Sequence, residues 1–209
     1  MERNVSLEIA KGIFKDNFIG PAEIKSIQEQ IQLKIPEEIP DIPFSEEELK
    51  NKAKDYLLVL CLPYMLNGKE LNIIELRNIF GVDPSIKEPC FYNQDWYLNE
   101  DFVKTSSETI WVLLRKNVIE STRAKNPKEL SAQFSFPSAL VCCYTFFIYK
   151  LVYNEVLWPY DFIWCSDTDH NGDSIYVAKY FDIDGINKNG FSIHRHLALR
   201  NCYAAIECL

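Results

Sequence analysis

Glycine is scarce in this chain, seven residues in 209, and none of the seven adjoins another. A phosphate-cradling loop needs several glycines at fixed spacing so that backbone amides can approach the phosphate, which excludes P-loop and dinucleotide-binding readings. Positive charge is also short. Lys and Arg number 22 against 30 Asp and Glu, a net charge of −8, and no Lys/Arg cluster offsets it. That balance argues against an electrostatic grip on nucleic acid or on an anionic membrane. The longest apolar run, residues 139–148, falls well below the ~20 residues of a membrane span. The first residues lack a basic-then-apolar leader pattern. Seven cysteines are scattered without Cys-x-x-Cys spacing, and the adjacent pair Cys142 and Cys143 has poor geometry for a disulfide. Buried free thiols in a reducing cytoplasm are the expectation. Internal repeats and low-complexity tracts are missing.

What is present suits an α+β domain. Apolar residues make up 47% of the chain and aromatics 13%, ample for a core. Residues 4–14 and 21–31 carry apolar side chains at helical spacing, with Phe18, Ile19 and Gly20 as the break and Pro21 suited to a first helical turn. Together they read as a small helical hairpin that needs a partner surface for docking or homo-oligomerisation. Residues 34–43 read KIPEEIPDIP, and each Ile before a proline is pushed to extended backbone. A strap there divides the chain into residues 1–43, the hairpin and strap, and 44–209, the main α+β domain.

Within the main part, Ser45 followed by Glu48 is a capping box. A buried strand is expected over residues 56–62, and a short helix between the Asn72 cap and Gly81. Residues 83–100 form an irregular aromatic loop. Residues 107–123 read as a helix with Ile110, Leu113, Leu114 and Val118 on one stripe. Asn126 and Pro127 cap a short turn of helix. Residues 138–153 are apolar nearly all round, the mark of a core helix buried on most sides.

Three segments, 162–165, 175–181 and 191–197, are rich in aromatic and β-branched residues and bounded by Asp, Asn and Gly. They read as an antiparallel meander with 175–181 in the middle and tight turns at Asn171-Gly172 and across residues 182–190. The expected register sets Trp164 beside Tyr176 and Tyr176 beside His196, with His194 on the same face.

Two candidate sites follow. The loop residues Tyr92, Asn93, Asp95 and Trp96 mix amide, acid and ring in the manner of sugar- or peptide-binding surfaces, and Trp164 and Tyr176 extend that aromatic surface. Asp167, Asp169, Asn171, Gly172 and Asp173 match the first half of a calcium loop. The match ends at Ala178, where a bidentate Glu belongs. His194 and His196 on one strand face, with Asp167 or Asp173 nearby, would make a His₂-carboxylate site for a divalent metal.

The order of a Phe-Pro-Ser start (Phe136, Pro137, Ser138), a core helix, Trp164-x-Ser166-Asp167, a strand with Ile175-Tyr176-Val177, a glycine loop and a final Leu199–Cys202 segment resembles the C-terminal half of the C-type-lectin-like superfamily. That group includes formylglycine-generating-enzyme-like and FISUMP-type modules. The resemblance covers about a third of the chain and implies a fold that displays binding loops, often in bacterial or phage proteins. The catalytic cysteine arrangement of the oxygen-using members has no counterpart here, so no functional residue is carried over. The leading expectation is a cytoplasmic, non-enzymatic module binding a protein or small-molecule ligand. The alternatives are a metal-dependent enzyme using the His/Asp set and a structural subunit of an assembly.

Overall fold

The structure, a computed structural model, describes residues 5–180, 190–195 and 199–209. Its fold is α+β, with two sheets and a buried helix packed against both. Among the described residues no helix is long and apolar enough to cross a membrane.

Helix α1 (Leu7–Phe14) begins at Ser6, whose hydroxyl accepts from the Ile9 amide at 3.3 Å. Helix α2 (Pro21–Ser26) has Pro21 at its first position, and Glu23 reaches back to accept from the Gly20 amide at 3.0 Å. A further turn, α3 (Gln28–Ile31), ends at Gln32 in the left-handed region. Between α1 and α2 the sequence predicts only a break. Phe18 and Ile19 instead form a short strand, β1 (Phe18–Ile19), parallel to β2 (Tyr56–Cys61). Both its side chains are buried, which a two-residue segment cannot advertise by periodicity.

Helix α4 (Glu46–Lys52) has the expected capping box. The Ser45 hydroxyl accepts from the Glu48 amide at 3.3 Å, and the Glu48 carboxylate accepts from the Ser45 amide at 2.8 Å. An N-cap of this kind contributes about 1 kcal/mol. Helix α5 (Ile73–Phe80) runs from the Asn72 cap to Gly81, as read. Residues 107–123 are where the sequence misleads. They hold no α-helix but a strand, β3 (Ile110–Arg115), followed by a short 3-10 turn over Glu120–Thr122. Trp111, Val112, Leu113 and Leu114 are buried in succession, so both faces of the strand are covered. A run that is apolar on both faces has neither period, and only its partner β2 decides the outcome. β2 and β3 pair antiparallel, with Leu58 opposite Leu113 and Val59 opposite Val112.

After the short α6 (Pro127–Leu130), the core helix α7 (Ala139–Tyr153) has ten of its first eleven residues buried, all but Val141, so its apolar character all round is explained. It packs against β2 of the first sheet and against β4 (Phe162–Thr168) and β5 (Ser174–Tyr180) of the second. The Tyr144 hydroxyl donates to the Leu60 carbonyl at 2.7 Å, and the Phe147 ring stacks on Phe80 and meets Phe91 and Phe191.

The second sheet runs β6 (Gly190–His194), β5, β4, β7 (Tyr203–Ala204), antiparallel except for β7, which lies parallel to β4. The meander is therefore as predicted, and β7 is an addition to it. Alternation sends Ile163, Cys165, Ile175 and Val177 to the main core. Trp164, Tyr176 and Tyr203 go to a smaller cluster with Leu130 and Ala205. Trp164 pairs with Tyr176 as expected. Tyr176 pairs with His194 rather than His196. The shift is two residues, which preserves the face and exchanges the histidine. His196 and most of the turn at 182–190 lie outside the described residues.

The strap is fixed over the first sheet. Trp111 donates its indole N–H to the Pro40 carbonyl at 2.9 Å, and Ile42 bridges to Val5. Val5, Ile19, Ile31 and Ile42 belong to the same core cluster as β2, β3 and α7. Beyond β7 the chain crosses to the first sheet. The Arg115 amide donates to the Glu207 carbonyl, and Leu113 and Leu209 exchange amide bonds at 2.9 and 3.0 Å.

Candidate functional site

The turn between β4 and β5 is built on Asp169. Its side chain is fully buried. One carboxylate oxygen accepts from the amides of Asn171 and Asp173, each at 2.9 Å, and the other from the Arg195 guanidinium at 3.1 Å. Burial alone would raise the Asp169 carboxyl. The two amides, then Arg195 and the nearby His170, outweigh it and hold the group below its ordinary value. The half-calcium pattern in the sequence is thus an Asx-type turn, in which the aspartate bonds its own loop.

The next residue, His170, meets the end of the aromatic loop. Glu100, 7% exposed, accepts from the His170 amide at 2.9 Å with one oxygen. Its other oxygen lies 2.7 Å from His170 Nδ1. A carboxylate can only accept, so Nδ1 donates to it, and Nε2 lies 3.0 Å from the Asn171 side-chain amide.

Between the loop and the turn opens a cleft of about 720 Å³, lined by Trp96, Asn99, Glu100, Asp169, His170 and Arg195 among others. Trp96 is fixed from two sides. Its indole N–H donates to the Ile193 carbonyl at 3.0 Å, and the Arg195 guanidinium sits 4.8 Å above the ring. The loop is tied down by the Tyr92 amide, which donates to the Phe191 carbonyl.

The sequence-predicted residues are distributed unevenly around this cleft. Trp96 and Asp169 line it. Asp95 points to Arg77, at 2.6 Å, and Asn93 is exposed outside it. Trp164 and Tyr176 are buried in the smaller cluster, packed edge-on to each other and against Tyr203, and present no surface to a ligand. Their aromatic character serves packing. Asp167 leaves the turn entirely. It accepts from the Ala139 amide at 2.6 Å, at the start of α7, and burial raises its carboxyl above the ordinary value against that bond. Asp173 is exposed. His194 stacks on Tyr176, ring centroids 5.2 Å apart, with Nδ1 3.4 Å from the Gln94 amide nitrogen. The proposed metal ligands Asp167, Asp173 and His194 are thus not brought together with Asp169, and His196 lies outside the described residues. Among those residues the one His/Cys/Asp/Glu group with ligand atoms all within 4.8 Å of one another is Glu100, Asp169 and His170.

Glu100 and His170 are therefore what the sequence reading misses, whereas Arg195, which the sequence offers as a partner for an acidic ligand or a structural carboxylate, pairs with Asp169. His170 carries a weak local signal, a histidine in an acidic turn. Nothing local connects it to Glu100, seventy positions earlier. No protein-family model matches this chain, and neither a curated protein nor a solved structure does.

Proposed function

We propose that the chain is a non-enzymatic binding module whose cleft takes a small polyhydroxylated ligand of the saccharide class. The observation that carries this reading is the convergence of the aromatic loop and the β4–β5 turn on one cleft, with both acceptors and donors in its wall. Thr168 and Asn99 offer side-chain oxygens, Arg195 and Asn99 offer N–H groups, and Trp96 stands among them. A hydroxyl both donates and accepts, so it suits such a wall. The charged groups are already paired with one another, which favours orientation of a ligand over acid–base chemistry. The core helix followed by β4, β5 and β6 keeps the order on which the resemblance to C-type-lectin-like domains rests, and loops displayed for binding are in keeping with it.

Tryptophan fluorescence titrated with a panel of mono- and disaccharides tests the reading, because Trp111, Trp158 and Trp164 are buried and Trp96 borders the cleft. A saturable change that disappears in Trp96→Phe and weakens in Asn99→Ala is expected. A flat response across the panel sinks the proposal.

A metal-dependent reading has the proximity of Glu100, Asp169 and His170 in its favour. The donor set fits an ion poorly. Both Asp169 oxygens and both Glu100 oxygens are engaged, and the Arg195 positive charge lies 3.1 Å from Asp169. A melting temperature unchanged by zinc, manganese or chelator rejects that reading. A metal-dependent rise lost in His170→Ala would put it first.

A further inference from the structure

A second cavity, of about 530 Å³, opens where the ends of α1, α4 and α7 meet, and it shares no lining residue with the cleft. Its volume suits a small molecule. Lys15, Lys54 and Lys116 line it, against two acids, Asp16 and Glu155. In a chain of net charge −8, a cavity wall with an excess of lysine runs against the average. Lys15 and Lys54 form no ion pair among the described residues.

Lys116 and Tyr149 are held ready at the back. The Lys116 ammonium donates to the Asn17 side-chain oxygen at 3.2 Å and lies 5.0 Å from the centre of the Tyr149 ring. The Tyr149 side chain is almost wholly buried, and its hydroxyl donates to a Glu155 carboxylate oxygen at 3.0 Å. The same Glu155 oxygen is 3.9 Å from Lys116. Glu155 is itself 65% exposed, so a surface carboxylate reaches in to the point where a phenol and an ammonium both offer protons. That is the position an anionic group of a ligand would take.

The backbone adds an independent sign. Lys15 has φ 52° and ψ −119°, a conformation that glycine adopts freely and lysine only under strain. A turn needed for the fold alone would be better served by glycine. Strain of this kind gathers where a side chain is in use.

We propose that this cavity binds a small phosphate-bearing molecule, whose phosphate displaces Glu155 from Lys116 and Tyr149 and draws in Lys15 and Lys54. Lysine ammonium groups act as point charges on phosphate oxygens, and the phenol adds a directed bond. Calorimetric titration of the whole chain with inorganic pyrophosphate tests it. The expected result is saturable binding at one site, weakened at least tenfold in Lys116→Gln and in Lys15→Gly, and tightened in Glu155→Gln. Lys15→Gly should also melt higher than the parent without ligand, because it relieves the strain, so its loss of binding cannot be put down to misfolding. Absence of saturable binding overturns the proposal, as does a parental dissociation constant in both lysine variants.

Discussion

Asp167 shows how one carboxylate can be pulled two ways. It closes the first turn of the core helix by accepting from Ala139, near the positive end of the helix dipole, yet it does so from a largely buried position that raises its carboxyl above the ordinary value of 3.8. With the folded value above the unfolded one, its contribution is full below 3.8 and is lost as pH rises through the folded value. Asp167→Asn keeps an oxygen for Ala139 and removes the buried charge, so it should match or exceed the parent at pH 7 and flatten that loss. Asp167→Ala leaves the amide without its acceptor and should cost about 1 kcal/mol. Urea unfolding of the three proteins between pH 4 and pH 7 checks both directions. Asp169, held below its ordinary value, works with the opposite sign: its contribution is full above 3.8 and is lost as pH falls through the folded value.

Elements were legible in the sequence wherever their signals are local. Ser45 with Glu48 and Asn72 with Gly81 each announce a helix through caps that bond within a few residues. Residues 138–153 announce one by being apolar on nearly every side, although the Ser138 cap went unread. β3 was not legible, because a strand covered on both faces and a buried helix leave the same apolar run. For β6 the pattern fixed which face the side chains take and not which partner they meet, since period two is blind to a shift of two. The cleft was half legible. Trp96 and Asp169 carry local chemistry, whereas the pairing of Glu100 with His170 exists only once the second sheet has formed. Gly190 joins these parts. A Cβ there would overlap the backbone of Phe91 and Tyr92, where the loop and β6 exchange amide bonds. Gly190→Ala should therefore cost roughly 2–4 kcal/mol and move the Trp96 emission, because the indole is bonded to Ile193 of the same strand. Denaturation followed by both circular dichroism and fluorescence would show it. Unchanged stability would mean the junction is looser than described.

Across the whole molecule, residues 5–43 supply core as well as cover. β1 adds a strand to the first sheet, and Ile24, Ile31 and Ile42 are buried against the remainder. Each such side chain contributes roughly 2 kcal/mol when removed from water, and a domain of ordinary stability has about 5–15 kcal/mol in all. A chain beginning at Phe44 should then lose cooperative unfolding, with dye binding to the bared face of β2 and β3. A sharp thermal transition in that truncated protein would show instead that residues 44–209 stand alone, as the proline strap suggests.

The crossing of residues 202–209 from one sheet to the other has its own corollary. Phe162 in the second sheet donates its amide to Cys202, while Leu113 and Arg115 in the first donate theirs to Leu209 and Glu207. One length of backbone therefore acts as a shared hem for both fabrics. Peeling it away would unlock both margins at once, and the deuterium uptake of Leu113, Arg115 and Phe162 should rise in a single concerted step.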